Sequence, residues 1–224
     1  QRVAVLDLPG SYSLSAGSPD EQIALDVLLQ RDADRWRPDV VLVVIDASHL
    51  ERNLFLAGQV IELGVPVVVA LNQIDVATAQ GINIDVPELS HELGVQVIPT
   101  VAKRGEGLDP LKSALVRAGT LPLPERRFRL PADVQRALTP VEQCLLREGL
   151  HPSAAGMEAL RLLGVQRTEP HLAQVPDLRD EVVAAMEKLR GAGYTPARLE
   201  SEIRYAWIAD VVGRTVTRTA QDSV

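Results

Sequence analysis

The sequence predicts an α/β unit, a parallel sheet covered by helices, over residues 1–120, followed by a small all-α helical unit over residues 121–224. Three observations carry this. The apolar runs at 40–45 and 65–71 are continuous rather than alternating, as strands covered on both faces should be. Amphipathic segments along the first half end at Gly64, Gly94 and Gly119, the residue type that stops a helix. Beyond Leu121-Pro122-Leu123-Pro124 the apolar spacing turns helical almost throughout.

Taken in order, residues 3–8 form a first apolar run and read as a strand. Helices are expected at 20–30, 51–63, 87–93 and 108–118, and Val97-Ile98-Pro99-Thr100-Val101-Ala102-Lys103 reads as a strand ending in a small-residue loop. Strand, helix and strand in succession give right-handed crossovers, which place the loops carrying Asp7, Asn72 and Ala102 at the carboxyl edge of one sheet, where ligands of such folds bind. The Leu-Pro repeat and the following Arg126-Arg127-Phe128-Arg129 read as a linker; contact of these charges with anionic lipid is the less economical alternative. Helices then follow at 131–148, 152–163, 175–189 and 196–219, with no clear strand among them. Leu160, Leu163, Val182, Met186, Leu189, Ile203, Trp207 and Val211 are the expected core of this second unit. Trp207 is alternatively a partner-binding anchor, but large aromatics are mostly buried.

Composition narrows the function classes. The formal charge of −7 argues against a nucleic-acid surface. Its distribution separates the two parts: residues 1–120 hold 16 acids and 9 bases, whereas residues 121–224 hold 14 of each. The single Cys144 has no Cys or His neighbour at metal-ligand spacing and fits a reducing compartment as a small buried apolar group. The four histidines, His49, His91, His151 and His171, are scattered, with no pair at i, i+4 beside a carboxylate partner, so direct iron binding by them is not expected. No apolar run approaches the length of about 18 residues that a spanning helix needs.

The chemistry lies in three patterns occurring in order. Asn72-Gln73-Ile74-Asp75 closes the run at 65–71, and an N-x-x-D at the mouth of a buried strand is how GTPases select guanine. The Asp75 carboxylate can accept from the guanine ring N–H and its exocyclic amine together, a paired contact that adenine cannot make. Asp7-Leu8-Pro9-Gly10 closes the run at 3–8. In GTPases this D-x-x-G places an Asp on a magnesium-bound water and a Gly N–H near the terminal phosphate, where a side chain would block approach. The same spacing at Asp210 to Gly213 lies within a helical segment. Third, the loop at 100–103 offers a backbone N–H to the guanine carbonyl oxygen. A phosphate-binding loop G-x-x-x-x-G-K-[ST] should precede Val3. No such pattern occurs in the 224 residues, since none of Lys103, Lys112 and Lys188 follows a Gly, and the sequence opens on what reads as the middle of a GTPase.

Several stretches are more specific. Asp7 to Leu14, then Ser18-Pro19-Asp20-Glu21-Gln22-Ile23-Ala24, then Asp46-Ala47-Ser48-His49-Leu50-Glu51-Arg52-Asn53-Leu54 closely resemble the cytosolic region of FeoB-type ferrous iron transporters; the likeness is strong over residues 3–119 and loose afterwards. The resemblance implies a GTPase domain and a helical domain preceding the membrane-spanning part of a bacterial iron transporter, at the cytoplasmic face of the inner membrane. It implies GTP/GDP and Mg2+ as cofactors, with a monovalent cation such as K+. The partners it implies are the membrane part of the same transporter and a homo-oligomer, and no nucleic acid. Carried over, Asp7 assists Mg2+ through water; Pro9, Gly10 and Ser11 belong to the phosphate and switch region, which runs over residues 11–22. Asn72 tethers neighbouring loops, Asp75 reads guanine, Gln73 covers the base with its stem, and Val101, Ala102 and Lys103 line the base pocket. Gln73 departs from the family, where Met or another long side chain is common.

The leading reading is therefore GTP binding and slow hydrolysis regulating ferrous iron uptake by an attached permease. The alternative is a nucleotide-incompetent scaffold or protein-interaction module. A ribosome-assembly GTPase would carry a basic RNA-binding unit, which the neutral second half lacks.

Overall fold

The computed structural model describes residues 3–15, 18–29, 38–165 and 170–219. In chain order the first part holds α1 (Pro19–Leu28), β1 (Val41–Asp46), α2 (Leu50–Ile61), β2 (Val67–Asn72), α3 (Ile74–Ala79), β3 (Ile82–Ile84), α4 (Val86–Leu93), β4 (Gln96–Pro99) and α5 (Leu108–Ala118). Then come α6 (Ala132–Arg147), α7 (Pro152–Leu162), α8 (Pro170–Gln174), α9 (Pro176–Gly191), α10 (Pro196–Thr215) and β5 (Val216–Arg218). Strands β1, β2 and β4 form a parallel sheet in the order β1-β2-β4, with Asp46 beside Asn72 and Leu71 beside Pro99. Their carboxyl ends therefore meet at one edge.

The central strand β2 shows why its run is continuously apolar. Val67, Val69 and Leu71 face a core built with α1, α2, α4 and α10, while Val68 and Ala70 face Leu111, Ala114 and Ala118 of α5. Gly64 and Gly94 follow α2 and α4 in the left-handed region, at φ 71° and 69°. Gly119 does not, with φ −65°, and α5 simply runs out into the Leu-Pro linker.

Four expectations are corrected. Residues 3–8 are not a strand of the sheet; they run as irregular chain with Val3, Val5 and Leu6 exposed. An extended segment has no hydrogen bonds of its own, so an apolar run becomes a strand only where a neighbouring ladder takes it up. The second half does contain a strand, β5, which continues directly from α10 and pairs antiparallel with β3. Neither α3 nor β3 was anticipated. Finally, Leu160, Leu163, Val182 and Leu189 pack with Val134, Leu138 and Leu145, with Met186 and Ile203 partly buried against them, but Trp207 and Val211 belong to the core of the sheet.

The last correction follows from length. Twenty residues of α10 extend about 30 Å, enough for Leu199 and Ile203 to reach the helical core while Trp207, Ile208 and Val211 reach the sheet's. Close approach of α10 to α2 requires Gly58: a Cβ there would lie 2.9 Å from the Trp207 ring and 3.1 Å from the Arg204 guanidinium. Gln30, residues 16 and 17 of the expected switch, and residues 220–224 lie outside the described residues.

Candidate functional site

At the carboxyl edge of the sheet, Asn72 ends β2 and holds the loop after β4. Its Oδ1 accepts from the Ala102 N–H at 3.0 Å and from the Thr100 hydroxyl at 3.3 Å. The Thr100 N–H in turn donates to the Leu71 carbonyl at 2.9 Å. The end of β2 and the loop after β4 are thereby fixed to each other.

Gln73 follows in the left-handed region, at φ 60° and ψ 33°, the one non-glycine residue with positive φ among the described residues. A side chain in that region costs on the order of 1–2 kcal/mol, and such strain persists only where the surroundings impose it. Here it turns the chain straight out of β2 into α3, where Asp75 stands half-buried in the first turn.

The loop over residues 101–106 is a small hairpin, closed by reciprocal bonds between Val101 and Glu106 at 3.1 and 3.3 Å. Gly107 is required at its end, since a Cβ there would collide with the Pro99 carbonyl. Val101 is buried under the loop, whereas Ala102 and Lys103 are exposed. Arg104, which sequence reasoning did not single out, places its Nη2 3.2 Å from Asp75 Oδ2 and its Nε 2.9 Å from Glu106. Only the fold shows this pair, because the two residues lie 29 positions apart.

Of the predicted residues, then, Asn72, Gln73, Asp75, Val101, Ala102 and Lys103 converge. Asp7 and Gly10 are exposed on the irregular leading segment, with Pro9 and Ser11 half-buried beside them. A Cβ at Gly10 would meet nothing within 4 Å. On the neighbouring strand end, Asp46 turns the chain into α2 by accepting from the Ser48 N–H at 2.8 Å and hydroxyl at 2.7 Å. Burial works against its ionisation, but the bonds from Ser48 and His49 outweigh this and hold its carboxyl below the usual range.

Among the described residues, Glu88, His91 and Glu92 on α4 have donor atoms within 4.8 Å of one another. Arg214 already faces Glu92 at 3.1 Å. No described helix is long and apolar enough to cross a membrane.

A parallel sheet with an N-x-x-D turn leaving its central strand, bonded to a small-residue loop after the next, defines a GTPase-type domain. Comparison with known proteins gives the family. The model of the family described as ferrous iron transport protein B matches residues 1–115. The "Fe(2+) transporter FeoB" of Escherichia coli strain K12 is 38% identical over 231 residues, covering 96% of this chain and 28% of that protein. The corresponding Salmonella typhimurium protein is 36% identical over the same shares. Among solved structures, the cytosolic domain of L. pneumophila FeoB superposes with a TM-score of 0.80 at 32% identity, covering 95% of this chain and 79% of that one. An mGMPPNP-bound NFeoB from S. thermophilus gives 0.74 at 31% identity, over 96% and 80%, and a GDP-bound mutant of it gives 0.79 at 32%, over 93% and 79%. The chain belongs to the FeoB ferrous iron transport protein B family, and spans 28% of the length of the curated relatives it matches.

Proposed function

We propose that this chain is the guanine-nucleotide-binding cytosolic part of a bacterial ferrous iron transporter, binding GTP and GDP with Mg2+ and hydrolysing GTP slowly to regulate an attached permease. On this reading residues 1–120 form the GTPase domain and residues 121–224 a helical regulatory domain. The observation that carries it is the Asn72 clamp, which holds the Ala102 loop against the end of β2, two residues before the first turn of α3 that carries Asp75. GDP and GMPPNP in the solved relatives support the same assignment.

The residues present fit the base better than the phosphates. Asp75 offers two acceptors to the two guanine donors; the exposed Gln73 and Lys103 would cover the ring with their stems, and the Ala102 N–H, which here donates to Asn72 Oδ1, would turn from that bond to reach the guanine carbonyl. Mg2+ when bound neutralises charge on the β- and γ-phosphates. Asp7 would contribute one water-mediated contact to it. K+ and self-association remain part of the proposal through the family alone.

Titration of the purified protein with GDP and with ADP tests the reading. Micromolar binding of GDP without ADP is expected; binding of neither leaves the scaffold alternative. A second expectation concerns Arg104. Guanine's two donors need both oxygens of Asp75, and Arg104 already holds Oδ2. This ion pair is half-exposed and worth less than about 1 kcal/mol. Arg104→Gln should therefore tighten GDP binding by roughly two- to threefold at low ionic strength, an advantage that shrinks towards 1 M salt as the competing pair is screened. Weaker binding in this variant would mean that Arg104 touches the nucleotide itself.

A further inference from the structure

We infer that Gln59 is a positioning residue that reports the state of the switch segment to α10 through a buried polar relay. The inference rests on the nucleotide-binding reading and adds its regulation. Four residues beyond Gly10, Leu14 is inserted into the main core, 1% exposed, and its backbone N–H donates to Gln59 Oε1 at 2.7 Å. Gln59, fully buried on α2, donates its amide to Glu200 Oε1 of α10 at 2.7 Å. The amide orientation is forced. A peptide N–H can only donate, so the oxygen must face Leu14 and the NH2 must face the carboxylate. The same Glu200 oxygen accepts from Arg204 Nη2 at 3.2 Å. Arg204 Nη1 donates to Glu62 Oε1 at 2.6 Å, and Glu62 Oε2 accepts from Arg126 Nε of the linker at 2.7 Å. Two carboxylates and two guanidinium groups thus alternate behind one neutral amide that touches the switch.

Such a relay has two arrangements rather than a continuum. Leu14 is either seated, with its N–H on Gln59, or withdrawn, leaving a buried amide acceptor without its donor. The switch also touches α2 at a second point, where Tyr12 lies under Arg52 at 3.8 Å, and α10 touches it at a second point, where Tyr205 stacks on Phe55 at 5.2 Å. Arg52, Phe55 and Gln59 of α2, with Glu62 at its C-cap, therefore form one stripe that meets the switch on one side and α10 on the other. If nucleotide state moves the switch, α10 must sense it, and α10 docking must in return change nucleotide affinity.

Trp207 packs against Gly58 and 5.7 Å from Phe128, so its emission reads the far end of the relay. In a Trp36→Phe background, GDP and then GMPPNP are added to the otherwise unaltered protein and to Gln59→Leu and Gln59→Glu. Gln59→Glu still accepts from Leu14 but meets Glu200 with like charge, so it cuts the relay without emptying the site. Expected are a nucleotide-dependent change of Trp207 emission in the Gln59 protein and its loss in both variants. The ratio of GDP to GMPPNP affinity should also move by roughly fivefold. Combining Gln59→Glu with Glu200→Gln, which restores the bond with the donor on the other side, should bring the response back. Nucleotide binding with a Trp207 response unaltered by either substitution, or with none in any protein, overturns the inference and leaves the nucleotide reading intact. Absence of nucleotide binding in every protein overturns both.

Discussion

Glu62→Ala is expected to lower the unfolding free energy by about 3–5 kcal/mol, the cost of breaking a buried ionic network by removing one partner. Glu62 is 2% exposed and accepts from Arg204, itself fully buried, and from Arg126. Its removal leaves Arg204 with Glu200 as its one remaining carboxylate in the network and takes from Arg126 the carboxylate that its Nε faces. Arg204 Nε already lacks a hydrogen-bond partner among the described residues. For a chain of this size the midpoint of thermal unfolding should fall by roughly 10 °C. Glu62→Gln, which keeps an acceptor but not the charge, should lose less. A loss under about 1 kcal/mol in Glu62→Ala would show that the pair is no better than an exposed one.

Asp75→Asn is expected to weaken GDP binding by about 2–4 kcal/mol, roughly 30- to 900-fold in Kd, because one acceptor becomes a donor aimed at the guanine ring N–H. Folding should be unaffected, since Asp75 is half-buried and its ion pair with Arg104 is solvent-screened. Xanthosine diphosphate separates this mechanism from general damage to the site. Xanthine carries an oxygen where guanine carries the amine, and so should bind the variant better than the unaltered protein. Unchanged GDP affinity in Asp75→Asn, measured by calorimetry, would sink the base-reading assignment.

Much of this was legible in the sequence because its signals are local. The alternation of faces along β2, the N-x-x-D turn and the small-residue loop are each written in consecutive residues. So is most of α5, found at 108–118 as expected. What escaped was decided by partners distant in the chain. Residues 3–8 are as apolar as β1, yet only β1 is taken up in a ladder. Val216-Thr217-Arg218 has no strand-like pattern long enough to notice, and becomes a strand because Ile82–Ile84 lies beside it. Trp207 was correctly expected to be buried but was assigned to the wrong core, since spacing along one helix does not say which of two neighbours its far end meets. Arg104 and Gln59 carry no local signature at all; a lone Arg in a polar loop and a lone Gln in an amphipathic helix acquire roles only from what folds against them.

A pull applied to the chain after α10 would meet the short ladder between β3 and β5. The Asp85 N–H donates to the Thr215 carbonyl at 2.8 Å, and the Thr219 N–H donates to the Gly81 carbonyl at 2.9 Å, so the ladder is bolted at both ends. Tension applied at Thr219 would load this ladder before it reached α10. It would pass into Gly81, two residues past the end of α3, and so arrive six positions from Asp75.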